Sequence, residues 1–542
     1  MNRREFLSLD DPSTPPSDAG GAIPPASEFY RSSRGLDRYI PSPEQPWDYT
    51  RAAHLLRRAM IGPTDAEIRR AVEEGLDATI DRLLQPHVPS LKLIDEWAGS
   101  DPSISSAEPE GPVSVVWVEQ KLARREKLGR WWLRTIVEAP VSLQERMTLF
   151  WHGHFVSEMR VVEYAEWMYQ QNQLLRRNAL GNFKELVGEI TTDMAMLIYL
   201  NGVDNYIEPW GGSHINENHA RELMELFTMG PVDWDGTANY TQRDVAEAAR
   251  ALSGWTRTPS PMGELYAGLR GSFRPERWDG GVKTFLGRSG AFGAQDIIEI
   301  IFSQRRGQIA RFICGKLYRT FVYQEPDRAI IDGMAGTLLA HDWEIAPVMA
   351  ELLASEHFYD PTNIGALART VTDYHLSIVR GMGLGNVPDF DPATPSYPAG
   401  DLCARLLKLG QMPFYPPNVK GWPEGRAWVS ASTLPGRQKF ALDVAAGRIT
   451  AGPGKPELYR FDPIELAGSF PEPHDIHALC HDMTRCFLSL PPSPREEAML
   501  YGTLLSGGVD YEWSLDDPAQ QPAERIRRFL RALMGLPKFQ LY

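Results

Sequence analysis

WWLRTIVEA (131–139), SLQERMTLFWHGHF (142–155), EYAEWMYQQNQLLRRNAL (163–180) and NFKELVGEITTDMAMLIYL (182–200) follow one another almost without interruption. In each, Trp, Leu, Ile and Met recur three and four residues apart, the spacing that puts apolar side chains on one face of a helix. A stripe of this kind reads as core packing. Runs of period two, which would mark strands, are scarce along the chain, and no internal repeat is evident. The expected fold is therefore mainly α, a large multi-helix globular body with loop insertions.

The helical pattern extends outward from this block. RAAHLLRRAMIG (51–62) stops at Gly62 and Pro63, Thr64 stands where an N-cap belongs, and TDAEIRRAVEEGLDATIDRLLQ (64–85) continues with the same period. Thr241 and Asp244 in YTQRDVAEAARALSGW (240–255) form a capping-box pair. A Gly/Pro/aromatic insert over 256–292 carries GVKTFLG, which suits a small hairpin, and further helices are expected over 294–323, 326–338, 343–356, 365–382 and 400–410. Loops are expected at 383–400, at TAGPGKPELYRFDP (450–463) and at LPPSP (490–494). Residues 10–46 are rich in Pro, Ser, Gly and Asp and bury too little apolar surface to repay ordering. The organisation expected is an extended or disordered arm over 1–48, a helical body over 49–447 and a C-terminal helical extension over 448–542.

Composition excludes several classes. Of 542 residues, 43% are hydrophobic and 23% charged, ordinary for a soluble chain, and no apolar run approaches the ~20 residues that cross a bilayer. No membrane span is expected. A net charge of -14 repels phosphate backbones, and RREKLGR (124–130) and LLRRN (174–178) are too short to overcome it, so no nucleic-acid partner is expected. Cys314, Cys403, Cys480 and Cys486 make no CxxC pair and no disulfide framework. MNRREFLSL places Arg3 and Arg4 as in a twin-arginine export signal, but DDPSTPPSDAGGAIPP stands where its apolar segment should be, so a cytoplasmic chain is expected.

Four stretches carry candidate chemistry. In FWHGHF, His152 and His154 flank Gly153 at a helix end, where two imidazoles can share a divalent metal or form a satisfied buried pair. In NENHARELMELF (216–227), Asn216 is placed to cap a helix whose buried face is Ala220, Leu223, Met224, Leu226 and Phe227. Glu217, Arg221 and Glu225 fall four apart, a surface ion-pair ladder, while His219 and Glu222, three apart, could instead offer a ligand or an acid/base pair. HDIHALCHDMTRC (474–486) lines up His474, His477 and His481 on one helix face beside Cys480, a spacing that suits zinc or nickel but reads more simply as an exposed polar face. GQMPFYPPNVKGWPEGRAW (410–428) is a stiff loop displaying Asn418, Trp422 and Trp428, either the wall of a binding site or a wrapping of the core. No GxSxG elbow, P-loop or dinucleotide fingerprint is present.

Taken in order, HLLRRAMIGPT (54–64), LFWHGHF (149–155), LRRNALGNFKELV (175–187), NENHARELMELFTMG (216–230), YTQRDVAEAARALSGW (240–255), KTFLG (283–287) and GQMPFYPPNVKGWPEGRAWVSASTLPGR (410–437) resemble the bacterial family catalogued as domain of unknown function 1800. The resemblance implies frequent export and a genomic neighbour resembling phosphatases and sulfatases. It also implies an aromatic where this chain has His219 and a His-Asp pair where it has Trp278 and Asp279. The expected function is a metal-assisted or acid/base, hydrolase-like enzyme. His152 and His154 would be metal ligands, Glu217, Glu222 and Arg221 catalytic groups, and Asn216, Asn218, Asn418, Trp422 and Trp428 ligand contacts. The alternative is a non-catalytic binding or assembly partner of the phosphatase/sulfatase-like neighbour.

Overall fold

A computed structural model describes residues 36–87, 115–257, 271–384, 402–447 and 461–542. The N-terminal twin arginines, most of the proposed arm, and the Pro/Gly segments 385–401 and 448–460 lie outside the described residues. The chain is mainly α. Among the described residues the strands form three small antiparallel hairpins, and one of them pairs Lys283–Phe285 with Arg288–Gly290, as GVKTFLG suggests. None of the described helices is long and apolar enough to cross a membrane.

Local signals fix the helix ends. Thr64 and Glu67 close a capping box on the Asp65–Leu84 helix, and Thr241 and Asp244 close another on the Gln242–Ala251 helix. Gly62 takes φ +62°, and a Cβ there would sit 2.6 Å from the Ser377 Cα, so the first helical turn-around needs glycine both for its backbone and for its close approach.

The Gln144–His154 helix is the spine of the molecule. It is buried on almost every side, which is why its sequence shows little amphipathicity. Met147 and Trp151 join a core built from 36–84 and 141–359, while Leu149 joins a second core. That second core combines 128–168 with 371–539, and packs Phe440 and Val444 of the Leu434–Ala445 helix with Phe529 and Leu533 of the Pro522–Gly535 helix. Apolar packing therefore runs on across 447–448.

Polar residues of the spine meet partners from both cores. Arg176 grips Glu145 through two bonds of 2.6 and 3.0 Å, and the Trp132 indole donates to the same carboxylate at 3.0 Å. Arg146 donates to Asp373 at 2.6 Å. Such pairs fix how the two cores meet, since breaking one strands a buried charge at a cost of about 3–5 kcal/mol.

A candidate acid/base cleft at the end of the spine helix

The spine helix ends at FWHGHF, and the 410–428 loop lies across that end. Gly421 takes φ +82°, and a Cβ on it would stand 2.3 Å from the Gly153 carbonyl oxygen. Gly153 in turn lies beneath the Trp422 ring, 3.6 Å from where its own Cβ would be. The two glycines let loop and helix end touch backbone to backbone, and Trp422 is laid over the contact.

Between these elements and the Arg306–Phe321 helix opens a cleft of about 160 Å³. Gly153, His154, Trp422 and Trp428 line it together with Lys316, Arg319, Arg146, Lys420 and Glu424. Its charged side chains are thus four cations against one carboxylate, within a chain of net charge -14. A basic, partly enclosed cleft of this kind concentrates anions.

Lys316 is the distinctive group. Its Nζ donates to His154 Nδ1 at 3.0 Å and to the Leu226 carbonyl at 3.3 Å, and it stands 4.8 Å from the centre of the Phe312 ring. Burial lowers its pKa to about 8, with Glu424 opposing the drop and Arg319 adding to it. His154 Nε2 faces the Phe227 carbonyl at 3.0 Å. A carbonyl only accepts and an amine bonded this way donates, so the proton of His154 sits on Nε2 and its Nδ1 lone pair faces Lys316. Burial first and Lys316 second hold this imidazole neutral, well below its usual range.

The carbonyls come from an unusual segment. The Asn218–Glu222 helix passes directly into a π-helix, Leu223–Thr228, whose last carbonyls have no partner within the helix. His154, Lys316 and Asn239 supply them: Phe227 and Leu226 accept from the first two, and the Asn239 amide donates to Met229 at 2.8 Å.

His152 stands behind the cleft. Its Nε2 accepts from the Phe414 backbone N–H at 3.0 Å, and the rings of Trp132, Phe414 and Trp422 surround it at 5.3–5.5 Å. Burial pushes its pKa down to about 3. With Nε2 of His152 turned to Phe414 and both nitrogens of His154 engaged by Lys316 and Phe227, the two imidazoles do not present lone pairs to a shared metal. Placing them as one ligand pair is corrected accordingly. Among the described residues no group of three or more His, Cys, Asp or Glu is arranged to hold a metal ion.

The NENHAR residues lie elsewhere. The helix begins at Asn218 rather than at Asn216; the Asn216 side chain accepts from the Asn218 N–H at 3.0 Å, while its own N–H donates to Asn205 at 3.1 Å. Asn218 reaches Asn201 at 3.4 Å. Glu217 accepts from Arg221 at 2.9 Å and from Gln242 at 2.6 Å, and both charged side chains are over a third exposed. Tyr240 donates to Glu225 at 3.2 Å. Ala220, Leu223, Met224 and Phe227 are buried as expected, and Leu226 is half-buried at the rim. Burial, reinforced by Glu225, raises the Glu222 carboxyl above its usual range. None of Asn216, Glu217, Asn218, Arg221 or Glu222, expected as catalytic groups or ligand contacts, lines the cleft; His154 meets the opposite end of the segment instead.

Asn418 is an exposed turn residue, accepting from the Lys420 N–H at 2.9 Å, and it does not line the cleft. Trp428 is buried, and the Trp422 indole N–H has no partner among the described residues. His474, His477 and His481 form an exposed face, each beside an aspartate: Asp516, Asp510 and Asp482.

Missed from the sequence are Lys316, Arg319 and Arg146. The signal is faint but present: in RGQIARFICGKLYRTF, Lys316 and Arg319 lie three apart on a helix whose Ile313, Cys314 and Leu317 are core.

A family model described as protein of unknown function (DUF1800) matches residues 54–541. The chain belongs to the DUF1800 family. Its match covers the second core, the first core apart from Leu36, Tyr39, Ala52 and Ala53, and every residue of the cleft except Tyr542. No curated protein and no solved structure matches the chain, so the reading of this DUF1800 cleft rests on its own geometry.

Proposed function

We propose that the cleft is the site of an acid/base, hydrolase-like reaction on a small anionic substrate, with Lys316 as the proton-transferring group. The observation that carries this reading is the Lys316–His154–Phe227 chain of hydrogen bonds ending in an open basic cleft. A neutral Lys316 amine donates one N–H to His154 and one to Leu226, which leaves its lone pair for a water or hydroxyl in the cleft. A pKa near neutrality suits that task, because a base must be both deprotonated and basic enough at working pH. His154 acts through Lys316 and is a positioning residue. Arg319 and Lys420 supply charge for the anionic group of the substrate, and Trp422 a flat apolar wall.

The test is a panel of small phosphate, sulfate and carboxylate esters assayed from pH 6 to pH 10. Turnover is expected to rise through a pKa near that of Lys316, to vanish in Lys316→Met, and to fail to return in Lys316→Arg, which keeps the charge but cannot act as a base. Turnover unchanged in both variants refutes the assignment.

One observation favours the alternative of a partner-holding protein, such as one for the phosphatase/sulfatase-like neighbour. The hairpin joining Tyr206–Ile207 to Ser213–His214 presents Trp210 at its tip, 94% exposed. An aromatic so exposed is a natural anchor for another protein. Loss of partner capture in Trp210→Ala with cleft chemistry intact would separate the two roles.

A further inference from the structure

Behind the cleft, across Arg146 and Tyr542, lies a second and much smaller chamber of about 20 Å³. Arg57, Arg146 and Arg369 line it together with Asp373, Cys486 and Tyr542. Arg58, 4.9 Å from the centre of the lining Tyr542 ring, and Arg437, 4.6 Å from the centre of the Tyr374 ring, stand outside the lining, and all five guanidiniums are buried. Against them stands one side-chain carboxylate in the lining, Asp373, already bonded to Arg146 at 2.6 Å and to Thr370 at 3.0 Å.

The arginines are partly satisfied by backbone. Arg57 donates to the Arg485 and Cys486 carbonyls at 2.7 and 2.8 Å, Arg369 to Phe487 at 3.1 Å, Arg58 to Asn363 at 2.7 Å and Arg437 to Trp428 at 3.0 Å. Carbonyls satisfy donors but do not cancel charge. The Nε atoms of Arg58, Arg146 and Arg437, with Nη1 of Arg58 and Nη2 of Arg437, are buried and have no partner among the described residues. Other groups that could turn negative are held neutral: burial raises Tyr374 and Cys486 to about 12 and raises Tyr542 above its ordinary value. Arg58, Arg369 and Arg437, each lowered by burial to about 10, remain cationic at neutral pH. An excess of positive charge buried without a counter-charge is strongly unfavourable.

We propose that this chamber binds a halide-sized inorganic anion, chloride under ordinary conditions, as the counter-ion of the arginine cluster. The volume suits a single small ion, since about 10–15 Å³ already admits one water molecule, and it excludes an organic acid. The site is separate from the acid/base cleft and does not depend on its chemistry.

The full-length chain is titrated from sodium gluconate into sodium chloride at constant ionic strength, and its melting temperature followed. A saturating rise of about 1–3 °C is expected, because an ion that binds only the folded state stabilises it. Crystals grown in bromide are expected to show an anomalous peak among Arg57, Arg146 and Arg369. Arg369→Met removes a positive wall, and Ser377→Thr adds a methyl group to the lining while keeping every guanidinium; each is expected to lose the halide response. If Arg369→Met does not fold, Ser377→Thr decides alone. Equal melting in both salts with no bromide peak in the chamber overturns the proposal, as does a full response retained by the folded variants.

Discussion

Two polar regions of this molecule invite the same reading from sequence and part company in structure. NENHAR packs two amides, a carboxylate, an imidazole and a guanidinium into six residues, and most of these groups find their partners close by: Asn216 in Asn205 and Asn218, Glu217 in Arg221 and Gln242. The cleft assembles its polar groups from segments far apart, among them Arg146, His154, Lys316 and Lys420, and leaves them facing a common space. A dense polar sequence is closed chemistry when its members satisfy each other. A site is marked by groups whose hydrogen bonding stops one partner short.

Gly421→Ala tests the wall of the cleft and carries the largest expected effect. It combines a left-handed backbone with a Cβ 2.3 Å from the Gly153 oxygen, and is expected to cost about 4 kcal/mol of stability, read by chemical denaturation. Lys316 comes next. Its folded pKa of about 8 lies below the ordinary lysine value, so the unfolded chain holds the extra proton between the two, and stability rises with pH across that window. Wild type is expected to gain up to about 3 kcal/mol on Lys316→Met between pH 7 and pH 11; a difference flat in pH contradicts a desolvated lysine.

On the other side, Asn205→Ala removes the side chain that accepts from Asn216 and donates to the Ala249 carbonyl at 2.8 Å. A loss of about 2 kcal/mol is expected, with the chemistry of the cleft unchanged. Glu217→Gln carries the smallest effect, about 0.3–0.5 kcal/mol, because the ion pair with Arg221 is exposed to screening. If instead Glu217→Gln abolished turnover at unchanged stability, the contrast between the two regions would collapse.

What was legible in the sequence follows from how local each signal is. Helical stripes over 128–200, the caps at Thr64 and Thr241 and the KTFLG hairpin depend on neighbours within a few residues, and all appear where the pattern places them. Trp422 and Trp428 were readable as a wall because prolines and glycines fix the loop that carries them. Lys316 was not, since its meaning comes from His154, 162 residues away, and from a carbonyl freed by a π turn. Helix periodicity assumes 3.6 residues per turn throughout and cannot announce a turn that departs from it. The arginine cluster was hidden for the same reason: Arg57, Arg146, Arg369 and Arg437 come from four distant segments.

The π segment Leu223–Thr228 bears also on how the chain tolerates change in length. A π turn holds one residue more than an α turn over the same rise, so deleting one residue within LMELFT would let the segment relax into ordinary α-helix. The chain beyond the segment would keep its place, but the widened turn that presents the Leu226 and Phe227 carbonyls to Lys316 and His154 would be lost. In this stretch a one-residue gap is a change of chemistry, whereas the same gap in an exposed loop alters little.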